Sequence, residues 1–405
     1  MRLIGAASTV FAFVFMLVLS GANRQVGANP HDGREIFRYD TFGDEQLWTD
    51  VLRMHEVVQN VSPDTALNTL GLKVDVQALP RSVTKALEDG LVDLTDPAVT
   101  RQLLTLNAVV GVVATVSNDQ ITSLGITCAL CHSTVDNSFI TGIGRRLDGW
   151  PNLDLNPGLI LSLSPTDQLD AATKLEFANW GPGKYDARHH AFTGTGFVLL
   201  NGTTPSVPSV IPPAYGLQGV GFETFTGDGP ISYWNAYVAI GQMGGHGDFI
   251  DPRINLTIDQ PPPDRVTPKL QALLAYQLQL RAPAPPKDSF DKFAARRGEQ
   301  VFHDVGCATC HVPPTYTDVL LGSPPPLLHP PTGPLSVGTD PIYAQRSATK
   351  MYRTTPLRAL WQHPPYFHDG SAADLAAVVS HYESVLPLTL TAQQRADLIE
   401  FLKSL

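Results

Sequence analysis

Two short cysteine motifs constrain this chain more than any other feature of its sequence. The segments ITCALCHSTV (residues 126–135) and VGCATCHVPP (residues 305–314) each contain two cysteines three positions apart, with a histidine directly after the second. The four cysteines of these motifs are the only cysteines in the 405 residues. Any account of the fold and chemistry must therefore explain both motifs together.

Three kinds of chemistry use cysteines in this way. Structural disulfides suit an oxidising compartment, but a disulfide requires neither the three-residue spacing nor the histidine. Zinc accepts cysteine and histidine, but ribbon-type sites bring their cysteine pairs within about 20 residues, whereas here the pairs are 179 positions apart (307 minus 128). In covalent c-type haem, two thiols bond the vinyl groups and the histidine coordinates the iron. The third interpretation explains every feature and predicts two covalent haems, held by Cys128, Cys131 and His132 and by Cys307, Cys310 and His311.

The first 28 residues have the pattern of a secretory signal peptide. Arg2 precedes an apolar run that ends at Leu19, and small residues suited to cleavage follow at Ala22 and Ala28. The run is about as long as the shortest membrane spans, so an uncleaved anchor is the alternative and would be the protein's link to a membrane. In either case we expect the body of the protein outside the cytoplasm, in the periplasm.

Net charge argues against nucleic acid as a partner. The formal charge is -10 at pH 7, and the sequence contains no cluster of lysine and arginine. An acidic surface instead suits either plain solvation or a basic redox partner.

Length and composition predict more than one domain. A mass of 43.8 kDa exceeds the size at which a single core normally keeps growing, and 34 prolines with 33 glycines predict long irregular loops. We expect a mainly α fold with two cytochrome c-like haem domains and a helical N-terminal extension. The predicted divisions are a signal peptide at 1–28, the extension at 29–104, a first, atypical haem domain at 105–281, a proline linker at 282–288 and a second haem domain at 289–405.

The first haem domain is atypical because a β-hairpin, predicted within residues 109–127, leads into its motif where a helix would be usual. In the second domain, SFDKFAARRGEQVF predicts a helix capped by Ser289. At the C-terminus, Thr391 and Gln394 predict a capping box that starts an amphipathic helix. We expect these two helices to cross beside the second haem. A weak internal repeat pairs Asp228-Gly229 with Asp369-Gly370.

Residues 352–382, YRTTPLRALWQHPPYFHDGSAADLAAVVSHY, resemble the closing segment of the bacterial di-haem cytochrome c peroxidase and MauG family. In that family a Leu-Arg turn precedes the HDG segment and a helix. The resemblance implies that one haem reacts with peroxide and the other passes electrons. It also implies that the helix after HDG carries the sixth ligand of the second haem, a methionine in the peroxidases or a tyrosine in the MauG branch. Fourteen positions after His368 stands Tyr382, with His381, His368 or Met351 as alternatives.

The sequence of the first haem domain departs from the family pattern. The resemblance implies a glutamate acid/base group on the segment after the first Asp-Gly, where this chain has Asn235 or Trp234. Glu223 is the substitute candidate for that catalytic role. The candidates for a sixth ligand or for an acid/base group also include Met243, His246, His189 and His190, and the candidate electron relays are Trp150, Trp180 and Trp234.

Together these features predict an exported di-haem oxidoreductase that transfers electrons between its haems and reduces peroxide at the first. The alternative is an electron carrier in which both irons have six ligands. The expected partners are a small cytochrome or cupredoxin and hydrogen peroxide. Family members also bind calcium between domains, but no calcium-loop motif is present here.

Overall fold

The computed structural model describes residues 29–193, 196–200, 205–321, 328–333 and 336–405. The predicted signal peptide lies outside the described residues. Within the described ranges, no helix is both long and apolar enough to cross a membrane.

Short helices occur along the whole described chain, whereas the described strands form two-stranded sheets and lie between residues 74 and 259. The described α-helices are α1 Pro30–Tyr39, α2 Met54–Val58, α3 Pro63–Asn68, α4 Arg81–Glu88, α5 Pro97–Thr105, α6 Ala129–His132, α7 Pro157–Ser162, α8 Ala171–Ala178, α9 Ile231–Gly241, α10 Leu270–Gln277, α11 Lys292–Asp304, α12 Ile342–Gln345, α13 Leu375–Val385 and α14 Ala392–Ser404, and a π-helix spans Gln46–Val51. The described strands are β1 Val74–Asp75, β2 Val112–Ser117, β3 Gln120–Ile126, β4 Ser133–Val135, β5 Ile143–Gly144, β6 Arg146–Asp148, β7 Lys184–Tyr185, β8 His190–Thr193, β9 Gly196–Leu199, β10 Ser209–Val210, β11 Asp248–Asp251 and β12 Leu256–Asp259.

The predicted hairpin before the first motif is confirmed. Strands β2 and β3 pair antiparallel, with Val112 opposite Ile126. The turn between them places Asn118 and Asp119 at φ of 50° and 60°, a left-handed conformation that short polar side chains tolerate. The hairpin therefore delivers the chain directly to the helix α6 that carries Cys131 and His132.

Residues 29–104 pack closely against the first motif. The Thr127 hydroxyl donates to the backbone carbonyl of Arg38 at 3.1 Å, and the buried carboxylate of Asp44 accepts from the backbone N–H of Ile126 at 3.2 Å. Helix α1 lies so close to α10 that a Cβ on Gly33 would be 2.0 Å from the carbonyl oxygen of Ala272. The predicted N-terminal extension therefore supports the segment that holds the first motif.

The C-terminal region is organised by the crossing of α11 and α14. Gly298 permits the contact, since a Cβ there would lie 1.9 Å from the carbonyl oxygen of Asp397. Phe302 packs against Phe401 with ring centroids 5.2 Å apart. The predicted crossing and the predicted capping box at Thr391 are both confirmed. The predicted cap of α11 is wrong: Asp291, rather than Ser289, accepts from the backbone N–H groups of the first turn, because its carboxylate lies directly before the helix.

A buried ion pair and a set of hydrogen bonds join the N-terminal and C-terminal halves. Arg346 donates to Asp186 at 2.9 Å. Asp228 accepts from the backbone N–H groups of Ala348 and Thr349 at 3.0 and 3.2 Å. Separating the halves would therefore leave the buried charges of Arg346 and Asp186 without each other.

Candidate functional site: one cavity shared by both cysteine motifs

Both cysteine motifs line the same cavity. It has a volume of about 620 Å³ and its wall is mostly apolar. The motif residues on the wall are Cys128, Cys131, His132, Cys307, Cys310 and His311. The fold therefore brings the two motifs, which are 179 positions apart in sequence, to the wall of the same cavity.

Each motif histidine is oriented by a hydrogen bond to a backbone carbonyl. Nδ1 of His132 lies 3.1 Å from the carbonyl oxygen of Pro212, and Nδ1 of His311 lies 3.0 Å from that of Tyr316. A carbonyl only accepts, so the proton is assigned to Nδ1 in each ring. Such a bond fixes the tautomer and makes Nε2 the ligating nitrogen. Burial lowers the pKa of His132 to about 4, so the ring remains neutral and able to bind a metal.

The four cysteines are free thiols, all partly buried. Burial raises the pKa of Cys128 and of Cys131 to about 12, and burial also raises the pKa of Cys307 and of Cys310. These thiols are therefore poor candidates for reactive thiolates.

Two helices of equal length face the cavity, one from each half of the chain. Helix α9 and helix α13 both have 11 residues, and each follows one of the Asp-Gly pairs of the weak repeat. The first, fourth, fifth and eighth positions of both helices line the cavity: Ile231, Trp234, Asn235 and Val238 on α9, and Leu375, Val378, Val379 and Tyr382 on α13, while α9 adds Ala239. The matching stripes show that the two helices play equivalent structural roles.

The eighth position distinguishes the two helices. On α13 it is Tyr382, whose pKa is raised to about 12 by burial and then by the nearby thiols of Cys307 and Cys310. The phenol therefore lies beside the second motif. On α9 the same position is Val238, which has no atom able to bind a metal.

An ion cluster lies where the two halves meet. Oε2 of Glu223 accepts from the Arg353 guanidinium at 3.1 Å, and both side chains are buried. Glu223 Oε1 is buried without a hydrogen-bond partner. Burial raises the pKa of Glu223, although Arg353 and Arg358 act in the opposite direction.

Arg358 is the third member of this cluster and also lines the cavity. Burial lowers its pKa to about 10. Within the described part of the chain its guanidinium makes no ion pair or hydrogen bond, so the cavity presents one more arginine than it has carboxylate partners.

A pair of amides occupies the position at which the family resemblance implies a glutamate. Asn235 donates to Gln277 Oε1 at 2.7 Å, and Gln277 donates back to Asn235 Oδ1 at 3.1 Å. The neighbouring Trp234 donates from its indole to the carbonyl of Glu223 at 3.1 Å. Amides do not exchange protons as carboxylates do. Among the described residues of the cavity wall, Glu223 is the acidic side chain.

The remaining predicted residues divide by position. Met243 and His368 line the cavity, and His368 shares a hydrogen bond of 3.0 Å with the Tyr352 hydroxyl. His381 is turned away and contacts the carbonyl of Val337 at 2.6 Å, while Met351 is 37% exposed and off the cavity wall. The other predicted residues that do not line the cavity are His189, His190, His246, Trp150 and Trp180. The geometry therefore gives no support to His381, Met351, His189, His190 or His246 as a ligand within this cavity.

Three cavity residues have no predictive signal in the sequence. Tyr185 donates to Gln242 Oε1 at 2.8 Å, and Trp48 donates from its indole to the carbonyl of Met243 at 3.0 Å. All of these side chains line the cavity. They come from distant segments without a motif, so only the folded chain identifies them.

Comparison with known proteins finds similarity over part of the chain. No protein-family model matches the sequence. Over 162 residues the chain is 30% identical to the methylamine utilization protein MauG of Methylorubrum extorquens. That alignment covers 33% of this chain and 42% of MauG, so it spans less than half of either protein.

Two solved structures are also similar. Hydrazine synthase of Kuenenia stuttgartiensis matches with a TM-score of 0.31 and 20% identity, over 50% of this chain and 74% of that chain. A MauG-like protein associated with microbial copper homeostasis matches with a TM-score of 0.35 and 16% identity, over 54% of this chain and 81% of that chain. These TM-scores are too low to define the fold of this chain.

Proposed function

We propose that this protein is an exported di-haem c-type cytochrome of the peroxidase/MauG kind, with a reactive first haem and an electron-transferring second haem. The observation that supports this most is the single cavity reached by both cysteine motifs. The similarity to MauG adds to the proposal over the part of the chain that it covers.

The residues of the cavity fit two haems. Each motif offers two thiols and a histidine whose Nδ1 is already bonded to a carbonyl. The apolar wall suits porphyrin faces. Arg358, whose guanidinium forms no salt bridge or hydrogen bond among the described residues, suits a haem carboxylate, as does Arg353 beside it.

Haem, when bound, supplies one-electron redox chemistry at its iron. The chain sets the access on each side. At the second motif, Tyr382 offers a phenol oxygen as a sixth ligand. At the first motif, the aliphatic Val238 at the equivalent position leaves room for a small substrate.

Peroxide cleavage needs a group that moves a proton from the near to the far oxygen. Glu223 is the candidate, since its Oε1 is unpartnered and its Oε2 is held by Arg353. The amide pair of Asn235 and Gln277 would orient a substrate through its N–H groups. The predicted partners remain a small cytochrome or cupredoxin for the electrons, and hydrogen peroxide.

The second candidate function is electron transfer alone, and one observation favours it. Met243 is buried and lines the cavity, so its thioether would close the first iron if it reached it. In that case both irons would have six ligands and peroxide would not react.

A haem count combined with peroxide turnover tests the proposal. We expect two haems per chain by pyridine haemochrome, resistant to acid-acetone extraction, and peroxide-dependent oxidation of a reduced small cytochrome. Glu223→Gln should keep both haems and lose most of the turnover, while Glu299→Gln, on the exposed side of α11, should change neither. Two haems with no turnover in the unmodified protein would favour the electron carrier, and extractable haem would overturn both candidates.

A further inference from the structure

A second cavity lies beside the first motif, inside the N-terminal region. Its volume is about 60 Å³. Its wall is built from the π-helix, α2, α3, α5 and the β2–β3 hairpin, with α7 closing one side. The sequence assigns no chemistry to this region.

The second cavity is too apolar to hold water. About 10–15 Å³ suffices for one water molecule, but that water needs two to four polar partners. Twenty of the 21 wall residues are apolar, and the exception is Thr100, whose hydroxyl is buried without a hydrogen-bond partner. One hydroxyl does not meet the requirement, whereas a small apolar molecule needs no such partner.

Only a thin wall separates the two cavities. Four residues line both: Trp48, Ile126, Leu130 and Ile160. Leu130 stands between Cys128 and Cys131 within the first motif itself. The equivalent position of the second motif is Thr309, which lines neither cavity, so this arrangement belongs to the first motif alone.

We propose that the second cavity binds a small neutral apolar molecule of the size of dioxygen and holds it next to the first haem. This inference rests on the proposed function for its target, but the binding site itself is a property of the N-terminal region. It gives residues 46–105 a role beyond support: they keep an apolar ligand close to the reactive iron.

Xenon is the direct probe, because it fills dry apolar cavities and is visible to X-rays. We expect crystals of the haem-loaded protein under xenon pressure to show a xenon peak within the wall formed by Ala66, Leu103 and Val109. Ala66→Leu should abolish this peak by filling the space. Ala98→Leu makes the same change on α5, at a position outside the wall, and should leave the peak in place. Absence of xenon from the cavity of the unmodified protein would overturn the inference.

Carbon monoxide association with the ferrous first haem tests the link between the cavities. Ala66→Leu should slow association severalfold, and Ile160→Ala, which thins the wall, should speed it severalfold. Optical spectra and haem content should be unchanged in Ala66→Leu, because Ala66 does not line the larger cavity. If carbon monoxide associates with both variants at the rate of the unmodified protein, the second cavity does not deliver ligands to the first haem.

The two proposals fail in different ways. A protein without covalent haem would refute the proposed function while xenon still reported on the cavity. If xenon binds but the first haem binds no carbon monoxide, the iron already has six ligands. The claim that the second cavity delivers a ligand to the first haem would then be wrong.

Discussion

Each motif region has a helix of 11 residues that faces the cavity, α9 or α13, but the two regions hold their motifs by different means. Around the second motif, α11 and α14 cross at Gly298 and pack Phe302 against Phe401. Around the first motif, a β-hairpin delivers Cys128, and the N-terminal region holds it through Asp44 and Thr127. The first motif is therefore held by hydrogen bonds to the N-terminal region, and the second is held by the crossing of two helices.

The difference extends to the eighth position of the cavity-facing helices, where α13 has Tyr382 and α9 has Val238. A phenol beside one motif and an aliphatic side chain beside the other would give two haems of unlike ligation. A repeated motif in one chain therefore need not have a repeated function: under the proposed function, the residue opposite each motif would decide access to the iron.

Removal of the thiols has the largest expected effect. Changing both Cys128 and Cys131 to serine should leave one haem per chain, and changing both Cys307 and Cys310 to serine should leave the other. Covalent attachment requires the thiols, so haemochrome stoichiometry should fall from two to one in each variant. Reduced-minus-oxidised spectra should show a different remaining haem in the two proteins. Two haems in either double variant would contradict the assignment of that motif.

The second largest effect is expected from substitutions at the eighth position of α13 and of α9, which should change the ligands of the haem iron. Tyr382→Phe removes the phenol oxygen and should convert the second haem from low-spin to high-spin while leaving haem content unchanged. Val238→Tyr should do the reverse at the first haem. Spectra of the ferric proteins report both changes. Tyr382→Phe with an unchanged spectrum would assign the sixth position to another residue, with His368 the next candidate by location.

Gly298→Ala should loosen the second motif region alone. The added Cβ would overlap the carbonyl of Asp397, and overpacking of this kind costs about 1–3 kcal/mol. Thermal unfolding followed at the second haem should shift to lower temperature, and the first haem should keep its spectrum. Glu299→Ala, on the exposed side of the same helix, is the control and should leave the transition where it is. Equal loss at both haems would mean that the two regions unfold as one.

Acid should weaken the same helix crossing by a smaller amount. The Arg297 guanidinium donates to Asp397 and holds the pKa of that carboxyl below its usual range. The folded-state pKa is lower than the unfolded one, so this contribution is present above the unfolded pKa and is lost as pH falls through the folded value. Arg297→Leu should reduce the acid sensitivity of the second region below about pH 4. Unfolding curves between neutral and acid pH measure this effect, and an unchanged pH profile would contradict it.

Local features of the sequence predicted much of this molecule. The hairpin at 109–127 and the capping box at Thr391 follow from β-branched residues, turn residues and cap spacing over a few positions. The motif triplets are equally local. The cap of α11 was misplaced by two residues because both Ser289 and Asp291 have side chains suited to capping.

The wall of the cavity could not be predicted in this way. Glu223 and Arg353 are 130 positions apart, and Trp48 reaches Met243 across 195. Contacts at such separations leave no periodic pattern or spacing for sequence analysis to detect. His381 illustrates the limit, since it stands one position before Tyr382 yet faces the carbonyl of Val337 instead of the cavity.

The low-temperature EPR spectrum of the purified ferric protein tests the central claim most directly, with haem content measured on the same sample. We predict two covalent haems per chain, one low-spin signal from the second haem and one high-spin signal from the first, and a change in the high-spin signal on addition of peroxide. Two low-spin signals that are indifferent to peroxide would contradict the claim that the first iron is open, and would leave a protein that carries electrons without consuming peroxide.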